Sequence, residues 1–302
     1  MRRLLIVGCG DIGLRVARAM HGRRRIYALT RSENRSRILR AVGIVPVSGD
    51  LDHPGTLDRL AGIAHDVIHL APPPASGARD SRTANLVRAL TRGRSLPQRL
   101  VYMSTSGVYG DCGGEVVEES RAAHPMTDRA KRRLDAERTV RAWGAENGVH
   151  VSILRVPGIY ASGRLPIELL KSGTPVLAAE HDPYTNHIHA DDLARVVIAA
   201  LARGRAGRAY NASDDSSMKM GDYFDLVADL AGLPRPPRVS WETASESVPE
   251  SLLSFMRESR RLHNGRLKRE LRVRLRYPLV LQGVPDALRP EPQPHIPART
   301  PI

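Results

Sequence analysis

The chain opens on an apolar run, LLIV at 4–7, that passes directly into GCGDIG at 8–13 and then into the amphipathic stretch DIGLRVARAMHGR. This succession of buried strand, glycine loop and helix constrains the fold more than any other feature. Gly8 lets the chain turn tightly, Gly10 lets the backbone approach a pyrophosphate, and Gly13 lets helix and strand pack closely. Asp11 and Ile12 lie where the loop becomes helix. The free N–H groups and the positive dipole end of that helix suit an anion. The loop therefore predicts a dinucleotide site at the first crossover of a parallel sheet.

The rest of the first half repeats the alternation. RIYALTR, the end of ILRAVGIVPVSGD, AHDVIHLAPP, QRLVYMSTS and VHVSILRVPGIY read as strands. HPGTLDRLAGI, ARDSRTANLVRALTR and TDRAKRRLDAERTVRAWGAENG read as helices, the last ending at Gly148. Strand–helix alternation of this kind implies right-handed crossovers and a Rossmann-type, doubly wound parallel α/β sheet. We expect that domain over residues 1–160. A smaller substrate-capping region over 161–284, discontinuous and partly returning to the sheet, would follow, with a flexible Pro-rich tail at 285–302.

Composition narrows the function. The 302 residues are 41% hydrophobic, which fits a globular protein, and the longest apolar runs are too short to span a bilayer. We expect a cytoplasmic protein with no membrane partner. The net charge of +14 comes from arginines spread along the whole chain, and aromatic residues are 4%. Dispersed charge and few stacking rings argue against a nucleic-acid partner. The excess suits small anions such as a phosphorylated cofactor. Cys9 and Cys112 lie in no metal-binding spacing and are expected to be reduced and structural. NAD-type sites usually end the second strand in an acidic residue. Here the strand ends Leu29-Thr30-Arg31-Ser32. Arg31 and Ser32 offer donors to a 2′-phosphate, so NADP is favoured and NAD is the second choice.

With GCGDIG at 8–13, GDL at 49–51, VIHLAPP at 67–73, TANLVRAL at 83–90, MSTSGVYGD at 103–111, LRVPGIYASGR at 154–164 and HIHADDLA at 187–194, the chain resembles the extended or atypical short-chain dehydrogenase/reductases of the NAD-dependent epimerase/dehydratase family. The resemblance implies that Asp50 and Leu51 lie against the adenine. Ala71 and Pro72 would line the pyrophosphate and ribose path, and Val156 and Pro157 the nicotinamide. It also implies a Ser/Thr, Tyr and Lys set. Thr105 matches the hydroxyl and Lys131 the lysine, which would hold the ribose as well as tune the acid. The tyrosine's place, one turn before Lys131, is held by Thr127, whose hydroxyl does not ionise near neutral pH. Tyr109, His124 and Tyr184 are candidate substitutes for the missing acid, and Tyr109 with Thr105 and Lys131 makes the expected catalytic set.

Two readings follow. In the first, the chain is an NADP-dependent oxidoreductase or epimerase-like enzyme acting on a small carbonyl or hydroxyl compound. In the second, it is a catalytically silent NADP-binding regulator. His187, His189, Asp191 and Asp192 are close enough in sequence to suggest a metal site, but helix capping explains the pair of aspartates, and no metal is expected. Arg164 and Glu168 are further candidates for substrate contact. The resemblance implies a homodimer formed through the helices at 78–92 and 127–147.

Overall fold

The computed structural model describes residues 1–290. Seven parallel strands form the central sheet: β1 (Arg3–Val7), β2 (Arg25–Thr30), β3 (Val45–Ser48), β4 (Asp66–His69), β5 (Arg99–Thr105), β6 (His150–Val156) and β7 (Arg208–Asn211). Their spatial order is β7-β6-β5-β4-β1-β2-β3, every pair parallel. The order reverses beside β1, the place where a doubly wound sheet opens a crevice at the strands' carboxyl ends. β1 is apolar from Leu4 to Val7 because both faces of the sheet are covered. Leu4 and Ile6 face one core with helices α1 (Asp11–Ala19) and α6 (Ala190–Arg203); Leu5 and Val7 face the other, with α3 (Ser81–Thr91) and α4 (Asp128–Asn147).

Several elements differ from the sequence-based expectation. HPGTLDRLAGI forms two 3-10 turns, Pro54–Thr56 and Asp58–Leu60, rather than a helix. Proline and glycine at its start, and a left-handed Gly62 (φ 66°) at its end, leave too short a run to propagate α-helix. The turns still bury Leu57 and Leu60 completely. α2 (Glu33–Ala41) precedes β3, and α4 forms as expected, ending at left-handed Gly148 (φ 66°).

The second half divides between two jobs. α6, β7 and α10 (Gly265–Leu271) return to the sheet, where Leu193, Leu267 and Leu271 join its core. The remaining helices are α5 (Ile167–Lys171), α7 (Met220–Ala231), α8 (Trp241–Ser247), α9 (Glu250–Met256) and α11 (Val280–Ala287). They gather around a separate core that includes Leu170, Phe224, Val227, Leu253 and Val284. α11 takes in residues 285–287 of the expected tail; its remainder beyond residue 290 lies outside the described residues. Among the described residues no helix is long and apolar enough to cross a membrane.

Candidate active site

The glycine loop is held by backbone geometry. Gly8 has φ 87°, and a Cβ there would lie 2.7 Å from Ala71 Cα, so only glycine lets the end of β1 approach the end of β4 this closely. Gly10 caps α1 with no side-chain acceptor, and a Cβ on it would meet nothing within 4 Å. Its role is openness: the first-turn N–H groups of α1 face the loop's mouth. Gly13 is the packing glycine, its missing Cβ 3.2 Å from Ile6 Cγ2. Asp11 pairs with Arg15 at 2.8 Å and Arg164 at 3.1 Å, and Ile12 is buried in the core.

Beside this loop, Arg31 projects from the end of β2 with its side chain 71% exposed, 3.7 Å from the Asp50 carboxylate. Ser32 caps α2 by accepting from Arg35 N. Arg35, which sequence reasoning missed, donates to Cys9 O at 2.5 Å and so brings a second guanidinium against the glycine loop. Its signal was present: it is the third residue after a serine N-cap, a position whose side chain starts over the helix mouth. Hydrogen bonding to Asp52 N holds the Asp50 carboxyl below its ordinary range, with His53 and Arg31 adding to the effect. Leu51 is buried, and its carbonyl accepts from Asn85 Nδ2 at 2.8 Å. Ala71 is buried at the end of β4, and Pro72 follows it exposed.

At the carboxyl ends of β5 and β6 a cleft of about 450 Å³ opens beneath the cap. Thr105, Val156 and Pro157 line it, so three of the expected site residues meet there. Thr105 ends β5, and its Oγ1 accepts from Gly107 N at 3.2 Å. Thr127 also lines the cleft, but its hydroxyl is the N-cap of α4 and accepts from Ala130 N at 3.2 Å.

Two expected catalytic residues lie elsewhere. Lys131 is not among the cleft-lining residues; its side chain is 54% exposed and pairs with Asp128 at 3.2 Å. The helical phase of α4 instead turns Arg129 and Arg133 to the cleft. These two are also one turn apart, but displaced by two residues from the pair read in the sequence. Arg133 Nη1 donates to Met103 O at 2.7 Å, and to Ala71 O and Tyr102 Oη at 3.2 Å. It thereby ties α4 to the ends of β4 and β5. Tyr109 is 1% exposed and its hydroxyl donates to Asn211 Oδ1 at 2.8 Å. The Arg155 guanidinium sits 4.7 Å over its ring, and burial raises its pKa. It is a packing residue that fixes the turn after β5 to the end of β7.

Of the three candidate acids, Tyr184 lines the cleft, whereas Tyr109 and His124 do not. The cap adds His187, from the HIHADDLA stretch, and three residues with no sequence motif, Tyr223, Glu258 and Arg260. His187 stacks on Tyr223 with ring centroids 4.0 Å apart, and complete burial drives its pKa down to about 3. It is neutral at physiological pH and serves as a wall. Arg164 lines the cleft, while Glu168 pairs with Lys171 and its side chain is 86% exposed.

His189 caps α6, its Nδ1 accepting from Asp191 N at 3.2 Å. Asp192 is fully buried and accepts from the backbone N–H groups of Arg276 and Tyr277, both at 2.8 Å. His189, Asp191 and Asp286 bring ligand-type atoms within 4.8 Å of one another, with Asp191 paired to Arg15 and Asp286 lying 3.5 Å from His189 Nε2. Both cysteines are free and buried, and burial lifts the Cys9 thiol to about 11.

Known proteins are similar to this chain in sequence and in fold. 2'-Dehydrokanamycin reductase of Streptomyces kanamyceticus is 26% identical over 276 residues, 86% of this chain and 75% of that protein. GDP-6-deoxy-D-mannose reductase of Pseudomonas aeruginosa is 27% identical over 164 residues, 49% of this chain; the chain matches 54% of that relative's length. A functionally unknown conserved protein from Silicibacter pomeroyi DSS superposes with a TM-score of 0.75 at 28% identity, covering 95% of this chain and 98% of that one. The dTDP-glucose 4,6-dehydratase of Bacillus anthracis, solved in complex with NAD, shares the fold with a TM-score of 0.77 at 16% identity, over 95% of this chain and 96% of its own. The model of the NAD dependent epimerase/dehydratase family matches residues 4–213. That span runs from the first strand of the sheet to just past the last, and on it the chain belongs to the NAD-dependent epimerase/dehydratase family, a family of NAD(P)-dependent enzymes.

Proposed function

We propose that the protein is an NADP-dependent oxidoreductase acting on a small carbonyl or hydroxyl compound in the cleft at the ends of β5 and β6. The observation that carries the cofactor choice is the pair of guanidinium groups, Arg31 and Arg35, beside the glycine loop and the serine-capped start of α2. Two planar donors and a helix N-terminus favour a 2′-phosphate over a bare ribose hydroxyl. An acidic partner for that hydroxyl is missing at the end of β2, and the nearby Asp50 faces Arg31.

When bound, the nicotinamide supplies or accepts hydride. The chain's own residues do the rest. Val156 and Pro157 form the wall against which the ring would lie, and Thr105 donates a hydrogen bond to the substrate oxygen. Arg133 fixes the distance between α4 and the ends of β4 and β5. Tyr184 is the proton source this reading assigns, because it alone of the three candidate acids lines the cleft.

The test is calorimetric titration with NADPH and with NADH at fixed salt, on wild type and on the R31A/R35A double variant. NADPH should bind at least about tenfold tighter than NADH, a difference of about 1.4 kcal/mol. The double variant should lose that preference and keep its NADH affinity. Equal affinity of wild type for the two cofactors sinks the NADP assignment. Once the cofactor is known, a carbonyl screen on wild type, Thr105→Val and Tyr184→Phe reads the catalytic roles.

A further inference from the structure

We propose that the substrate carries an anionic group, carboxylate or phosphoryl, and that Arg129 receives it at the cleft. This rests on the reading of the cleft as the substrate site. The charge lining the cleft is lopsided: it holds four arginines, Arg129, Arg133, Arg164 and Arg260, against one carboxylate, Glu258. Two of the four are neutralised within the protein. Arg164 pairs with Asp11 at 3.1 Å, and Arg260 pairs with Glu258 at 2.8 Å.

Arg129 and Arg133 are not. Among the described residues neither has a carboxylate within ion-pair distance. Arg133 spends one nitrogen on three uncharged acceptors, Ala71 O, Met103 O and Tyr102 Oη. Arg129 sits with its guanidinium 5.1 Å over the ring of Phe255, an exposed aromatic residue of α9 that also lines the cleft. Desolvation lowers the pKa of Arg129, Arg133 one turn away on the same helix lowers it further, and Glu258 opposes the shift. A fold holds such a pair at a cleft at lower cost when an anion is received there. Of the two, Arg129 is the better receiver. Its guanidinium fork matches carboxylate and phosphoryl oxygens alike, and Phe255 fixes its plane without using its N–H donors.

The probes are sodium malonate and inorganic phosphate, titrated separately into the cofactor-free protein at constant ionic strength. Four proteins are compared: wild type, Arg129→Gln, Arg129→Lys and R31A/R35A. We expect wild type to bind at least one anion. Arg129→Gln should weaken it about tenfold or more, Arg129→Lys should restore part of the affinity, and R31A/R35A should keep this Arg129-dependent binding while losing any separate phosphate binding beside the glycine loop. Arg129-dependent binding of malonate alone assigns a carboxylate substrate, and Arg129-dependent binding of phosphate alone a phosphoryl one. The proposal is overturned if neither anion binds, if Arg129→Gln binds like wild type, or if affinity is lost in R31A/R35A alone, which places the anion in the cofactor's phosphate site. Matching circular dichroism and melting curves for Arg129→Gln and wild type exclude misfolding. NADPH titration of the same samples reports on the cofactor reading separately, so either conclusion can fail while the other stands.

Discussion

Individual residues here have roles that a substitution exposes cleanly. Gly8 is held at φ 87° with its missing Cβ directed at the Ala71 backbone. Gly8→Ala must push β1 and β4 apart at their ends, and we expect NADPH binding to fall below detection while the protein stays folded. Calorimetry and circular dichroism together check this; retained micromolar affinity would show that the loop is not the cofactor cradle. Asp214 offers a different handle. It is 3% exposed, and burial raises its carboxyl to about 8, with Asp192 and Asp215 adding repulsion. The unfolded carboxyl ionises near its ordinary pH of about 4. Between there and about pH 8 the folded form still holds the proton, so stability is lost as pH rises through that window. Asp214→Asn should therefore melt progressively higher relative to wild type between about pH 5 and pH 8.5. A constant difference across that range would show that the group is ionised in the fold. His187 and His69, both driven down to about 3 by burial, act in the opposite sense. They cost stability as pH falls below about 6.5, and they do so equally in both proteins.

At the scale of elements, α4 decides the most. Its buried anchor is Glu137, fully enclosed, which accepts from Arg155 Nε at 3.1 Å and Nη2 at 2.9 Å and so bolts the helix to β6. Removing one partner leaves the other charge buried, which costs about 3–5 kcal/mol. Glu137→Ala should show that loss in chemical denaturation, and a joint Glu137→Met/Arg155→Met change should recover much of it. At the other end, Thr127→Ala removes the N-cap and should cost about 1 kcal/mol. A shift in melting temperature of about 2–4 °C would follow for a chain of this size. If the melting curve does not move, the Thr127 hydroxyl is free for the cleft.

This helix also shows where sequence reading stops. The stretch DRAKRRLDAER is mostly charged, so apolar periodicity does not announce which face is inward. Arg132 and Glu137 are both buried, Arg132 because it donates to Ala75 O and Gly77 O. With charges on both faces, Thr127 and Lys131 look like the one-turn pair. The phase fixed by Ala130, Leu134 and Glu137 turns 129 and 133 to the cleft instead. The glycine loop is legible because each glycine answers a separate steric demand within a few residues. Thr105, Val156 and Pro157 are placed by the resemblance at strand ends, and strand ends are what the sheet holds fixed. Tyr184 is within reach of sequence reasoning as a candidate acid, and His187 as part of HIHADDLA, but Tyr223, Glu258 and Arg260 join the cleft only through cap packing, which no local pattern encodes.

For the whole molecule, the path of the chain carries a consequence. After β6 it leaves the sheet, builds the first part of the cap, and comes back as α6 and β7 before completing the cap and returning once more as α10. Asp192, on α6, grips the backbone at residues 276 and 277 from the far side of that excursion. Cap and sheet are thus stitched by alternating passes of one thread. A protease cut within α8 or α9 should leave two fragments that co-elute under native conditions and part only in denaturant. Expression of residues 1–160 alone should give an insoluble product, because β6 would be left as a bare, apolar edge ready to pair with its copies.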